Sequence, residues 1–158
     1  MHKHLPSLFL LSLLFLNSSA FAQKYKTADD TIRLNKEYLN VTTDLAELKA
    51  KLLTAENDLP SYQVKARNAN DDASSAAAAS QDQAAKATNG TVRSAKSAKK
   101  KANKAYNEAK DSKAAEKNLA NQEEKIAKYR SAIVKKEERL SELDAMRQAI
   151  YSKLPVVQ

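Results

Sequence analysis

The chain of 158 residues carries a formal net charge of +8 and holds no cysteine, no tryptophan, two histidines and one glycine. Without thiols there is no disulfide scaffold and no thiol nucleophile, and both histidines, His2 and His4, fall in the first four residues, which leaves the rest without the usual zinc ligands and the commonest general base. An aromatic content of 6% is too low for a conventional globular core, while abundant Ala, Lys, Glu and Leu with few breakers reads as long helix.

The first 22 residues have the three parts of a secretory signal: Lys3, an apolar run from Leu5 to Leu16, and Ala20-Phe21-Ala22 as an A-x-A cleavage site before Gln23. The run is about a dozen residues and contains Pro6, against roughly 20 needed to cross a bilayer. No cysteine follows it to carry a lipid. The expectation is cleavage at Ala22-Gln23 and a periplasmic or secreted protein of net charge about +7 with no Cys, His or Trp.

Next comes a first helical arm over 23–88. Thr27-Ala28-Asp29-Asp30 fits a capping box, with Thr27 as N-cap and Asp30 three residues on. From there a coiled coil is expected over 31–76. Leu34, Tyr38, Val41, Leu45, Leu48, Leu52, Ala55, Leu59, Tyr62, Ala66, Ala69, Ala73 and Ala76 alternate in steps of four and three over six heptads, the 3.5-residue period of a left-handed coiled coil. Pro60 interrupts the pattern chemically but not in phase. A kinked helix is favoured over one that stops near Asp58, the alternative that would give three helices.

Asn89-Gly90-Thr91 holds the only glycine, close to the midpoint of the cleaved chain, and reads as the turn between the arms. The second arm spans 92–154. Ala95, Ala98, Ala102, Ala105 and Ala109 suggest a seam of methyl groups whose phase slips around Ser112 to Ala115. A coiled coil follows over 119–154 through Leu119, Ile126, Tyr129, Ile133, Leu140, Leu143, Ile150 and Leu154, with Gln122, Lys136 and Arg147 as polar seam residues. Leu154-Pro155 ends it, and 155–158 is a tail.

The fold expected is all-α: a long antiparallel helical hairpin with an Ala-rich distal part. Folding at Gly90 sets the Leu-rich stretch from Leu34 to Leu59 beside that from Leu119 to Met146, and Ala66 to Ala87 beside Ala95 to Ala114. Residues 29–88 sum to −3 and residues 92–154 to +8, which favours pairing within one chain. Two helices bury one seam each, so self-association through the coiled coil is expected. The low-complexity stretch 66–115 also fits a part that orders on a partner.

No catalytic, cofactor or metal site is expected. Glu123-Glu124 and Glu137-Glu138 are sequence neighbours and point about 100° apart on a helix, so neither forms an acid/base pair. Tyr38, Tyr62 and Tyr129 read as core. The candidate contact surface is Arg93 to Lys117, with nine basic and three acidic residues. Arg93, Lys96, Lys100 and Lys104 are read as one face toward an anionic lipid, glycan or envelope protein, set against a plain solvated face. Nucleic acid is not expected as a partner, since only Tyr106 interleaves with the lysines.

The Ala/Lys run from Ala95 to Ala120 resembles the long periplasmic helix of TolA-type envelope proteins in composition. An exported, basic helical hairpin of this size is also similar to periplasmic chaperones of the Skp/OmpH kind. That resemblance implies a β-stranded trimerisation base, for which Gln23 to Thr31 and Pro155 to Gln158 carry no strand pattern. The expected function is a non-enzymatic envelope spacer or adaptor. The alternatives are a holdase chaperone and a binder of anionic envelope surface through 93–117.

Overall fold

The computed structural model of the protein describes Tyr25 and residues 27–152. The expected signal segment 1–22 with the expected cleavage at Ala22-Gln23, and Leu154 with the tail 155–158, lie outside the described residues. A short 3-10 turn, Ala28–Asp30, leads into α1, Thr31–Ala87, and α2 spans Val92–Tyr151. The protein is an all-α helical hairpin.

Thr27 and Asp30 build the start. The Asp30 carboxylate accepts bonds from the Thr27 amide, at 3.2 Å, and from its hydroxyl, at 3.0 Å. The Asp30 amide donates to the Thr27 carbonyl at 3.1 Å. The reciprocal half of a capping box is therefore present, while the threonine hydroxyl donates to the carboxylate rather than accepting from the backbone.

Packing divides the chain into two units, one of residues up to Glu47 and from Ile133 onward, the other Leu48–Ala132. In the first unit, Leu34 and Leu143 are fully buried. Val41, Met146, Ile150 and Tyr25 complete the cluster, with Tyr38 and Leu140 packed against it. Leu45 is half-buried and Ile133 buried.

Polar ties surround this core. Arg139 reaches Glu37 at 2.6 Å and Glu142 at 2.7 Å, and the Tyr25 hydroxyl donates to Glu37 as well. Partial burial works against the Arg139 charge, yet the bonds from Glu37 and Glu142 outweigh it and hold the guanidinium above its ordinary pKa. Lys136 pairs with Asp44 at 2.6 Å. Arg147, on the seam, lies 4.0 Å from the centre of the Tyr38 ring. A cation over an aromatic face explains how an arginine is tolerated among apolar neighbours. Its Nε is buried without a hydrogen-bond partner.

The second unit is built from smaller residues. Ala55, Ala66, Ala76, Ser112, Gln122 and Ile126 are buried, and Leu48, Leu52, Leu59, Tyr62, Leu119 and Tyr129 are half-buried. α1 continues through Pro60 as one helix, so the three-helix alternative does not arise. Proline removes the amide that would bond the Glu56 carbonyl. Pro60 is exposed, on a side that water reaches. One residue away, the buried Gln122 amide donates to the Ala55 carbonyl at 2.8 Å across the hairpin, and Arg130 pairs with Glu56 at 2.7 Å. The polar seam residue Gln122 thus serves the backbone beside the proline.

Burial along α2 corrects the expected phase slip. Ala98, Ala105, Ser112, Leu119 and Ile126, each seven residues from the next, are all withdrawn from solvent. Glu108, Ala115, Gln122 and Tyr129 hold the companion positions. Ala95, Ala102 and Ala109 are exposed instead. A methyl group sits equally well at a seam or beside it, so the alanines do not determine the phase. The larger residues from Leu119 onward do.

The turn shows why its glycine is needed. Gly90 is not in the left-handed region, but a Cβ there would lie 2.0 Å from Ser94 Oγ, 2.9 Å from Ser94 Cβ and 3.0 Å from the Lys86 carbonyl oxygen. Ser94 Oγ donates to the Thr91 carbonyl at 2.6 Å, and that carbonyl also accepts the first α2 bond, from the Ala95 amide at 3.1 Å. The constraint is close approach rather than backbone sign.

Two stability predictions follow from this packing. Leu143→Ala is expected to cost about 2–5 kcal/mol in urea unfolding, whereas Tyr106→Ala, at an exposed site, should stay within about 0.5 kcal/mol; equal effects would contradict the placement of the core. Gly90→Ala should lower stability by about 1 kcal/mol, with part of the loss recovered when Ser94 is also changed to Ala; a stabilised Gly90→Ala protein would contradict the crowding described.

Candidate functional site

The stretch Arg93 to Lys117 lies on α2 within the second unit. Nearly half of its side chains are charged, with cations outnumbering acids three to one, yet the helix forms because Ala and Lys are both strong helix formers. All nine basic residues are exposed. None makes an ion pair or a side-chain hydrogen bond among the described residues.

Further along α2 most of the cations behave differently. Lys128, Arg130, Lys136, Arg139 and Arg147 all have carboxylate partners. Lys128 bonds Glu124 at 2.6 Å, and that hydrogen bond, with the charge behind it, holds the exposed Glu124 carboxyl below its ordinary pKa. Among the described residues, every side-chain bond between α1 and α2 with a stated partner uses Glu37, Asp44, Ala55 or Glu56 on one side and Gln122, Arg130, Lys136 or Arg139 on the other. Residues 57–121 contribute none.

The corrected heptad phase sorts the basic residues. Three adjacent heptad positions face away from the seam, and between Val92 and Lys117 they carry Arg93, Lys96, Lys99, Lys100, Lys110, Lys113 and Lys117. No carboxylate falls on these positions; Val92, Asn103, Tyr106, Asn107 and Ala114 fill the rest, all exposed. The three acids of the stretch lie elsewhere: Glu108 on the seam, Asp111 and Glu116 on its two flanks.

Of the four residues read as one face, Arg93, Lys96 and Lys100 do share it and line one shallow concavity with Lys99 and Asn103. Lys104 does not. It lies with Lys101 around a cavity of about 130 Å³ that also meets Asp72 and Glu108. Lys99, Lys110, Lys113 and Lys117 belong to the outward face in its place. The signal that finds them is the spacing of seven carried back from Leu119 through Ser112 and Ala105 to Ala98.

Among the described residues there is no group of three or more His, Cys, Asp or Glu that could hold a metal, and no helix is long and apolar enough to cross a membrane. The seam residues Leu34, Val41, Ile126, Ile133, Leu143 and Ile150 are buried, while Tyr38, Leu45, Leu48, Leu52, Leu59, Leu119, Tyr129 and Leu140 are half-buried. Comparison of the chain with protein-family models, with curated proteins and with solved structures finds no match.

Proposed function

We propose that the protein is an exported, non-enzymatic coiled-coil hairpin that acts as a spacer or adaptor in the cell envelope. One observation carries this reading: the polar bonds between the helices gather near Glu37 to Glu56, while the nine cations of α2 from Arg93 to Lys117 are unpaired among the described residues. One stretch holds the hairpin closed, and the other presents charge to something outside it. A protein whose basic arm served only to neutralise its acidic arm would pair those lysines with Asp71, Asp72 and Asp82, which make no ion pair among the described residues either.

The secretory pattern of the first 22 residues gives the compartment in this reading. Self-association belongs to it too. Two helices bury one seam each, and apolar side chains remain outside: Ile32 and Leu39 in the first unit, Leu53 and Val64 in the second. Their spacing along α1 keeps to the heptad, which suits a further helix.

Two measurements test the proposal. A photocrosslinking side chain placed at Lys104, off the outward basic face, should give one discrete protein adduct in the native cell. A ladder of many adducts would replace the adaptor with a holdase chaperone, and no adduct would remove the partner. Light scattering of the exported form at micromolar concentration should give more than the monomer mass; a monomer there would remove self-association from the reading.

A further inference from the structure

We infer that the outward face of α2 from Arg93 to Lys117 docks on the surface of a bilayer that carries anionic headgroups. This deepens the spacer reading by naming the surface against which the protein rests.

The first argument is the sorting of charge. Solubility is served by charges of both signs interspersed over a surface and does not call for one sign alone on one side. Here seven cations and no carboxylate occupy the three outward positions, although acids make up three of the twelve charged residues in the stretch. The acids sit at the seam or beside it. The seven cations also have no partners among the described residues, so each brings its full charge to an outside surface.

Shape decides what kind of anion fits. The concavity at Arg93, Lys96 and Lys100 is lined by α2 residues alone. No wall from α1 encloses it, so nothing there grips a small anion or a single headgroup. The cations instead follow one side of one helix for about 36 Å, at 1.5 Å per residue. A line of charges open on one side meets a plane along its whole length. Anionic headgroups form such a plane and attract cations placed near it.

Two exposed residues on the same face point to lipid rather than to a polymer in water. Tyr106 is 72% exposed and Val92 is 88% exposed. A tyrosine ring has an apolar body and a polar end, which suits the headgroup level of a membrane. One aromatic does not make the stacking platform that single-stranded nucleic acid needs. With so little apolar surface the helix lies on the bilayer rather than in it, and contact is reversible and salt-sensitive.

The test is co-sedimentation of the protein in its exported form with vesicles of phosphatidylcholine, with and without one-third phosphatidylglycerol. Binding is expected only to the anionic vesicles at physiological salt, and it should vanish at 1 M salt, where screening acts within about 3 Å. Replacing Lys96, Lys100 and Lys113 together with Gln should weaken binding about a hundredfold, at roughly fivefold per cation. The same change at Lys101, Lys104 and Lys125, which lie off the face, lowers the net charge equally and should have a much smaller effect. Circular dichroism checks that both variants remain helical. Equal losses in the two variants would overturn the proposal in favour of diffuse charge, as would absent or salt-insensitive vesicle binding. Tighter binding to a soluble polyanion such as polyphosphate than to the vesicles would overturn it in favour of a polymer. These outcomes are separate from the crosslink at Lys104: failure of the vesicle experiment leaves the adaptor standing, and failure of the crosslink leaves the membrane face standing.

Discussion

A hairpin of two helices can bury only one stripe from each, and that constraint governs everything else in this molecule. Leu34 and Leu143 are the largest side chains taken fully out of water. Around them most seam residues are only half-buried, so each contributes less than the roughly 1.5–3 kcal/mol of a fully buried aliphatic side chain. A protein with so thin a core cannot leave polar seam positions to chance. Arg139 is held by two carboxylates, Gln122 by a backbone carbonyl, and Arg147 by the face of Tyr38.

These polar contacts set register more than they add stability. Exposed ion pairs such as Arg130 with Glu56 contribute about 0–1 kcal/mol each. The pairs are directional, however. Glu37 meets Arg139, Asp44 meets Lys136, and Ala55 meets Gln122, so the partner number falls as the α1 number rises. A shift by one heptad would separate all of them and would bury Gln122 with no acceptor, at about 1–3 kcal/mol for the lost partner. The seam of alanines cannot do this work, since one methyl group resembles the next.

That difference explains how much could be read in advance. The helical hairpin was legible because Leu34, Val41 and Leu48 in α1, and Ile126, Ile133 and Leu140 in α2, mark the period with residues too large to sit elsewhere. The turn was legible from Gly90, although its physical reason differs: the crowding by Ser94 and Lys86 depends on three-dimensional approach, which no spacing reveals. Between Ala95 and Ala109 the seam was read only in part, Ala98 and Ala105 lying on it and Ala95, Ala102 and Ala109 exposed beside it, because alanine carries almost no positional information. Lys104 was misplaced with it, since a face opposite a wrongly phased seam is itself wrongly phased. Gln122 could be seen to occupy a seam, but its acceptor, 67 residues away at Ala55, could not.

The same weakness of the alanine seam bears on why the basic face stays unpaired. Small residues let the two helices approach closely, but they bury little area, and a salt bridge formed there would lie in water and contribute almost nothing. Selection for stability would therefore place carboxylates opposite these lysines only weakly. It would not, by itself, clear every carboxylate from the outward positions while keeping Glu108, Asp111 and Glu116 in the same stretch of helix. Seven like charges along one side repel one another, and neighbours three and four residues apart destabilise the helix by a few tenths of a kcal/mol per pair. A cost of that kind, carried by a fold with little stability to spare, is consistent with a face whose purpose lies outside the hairpin.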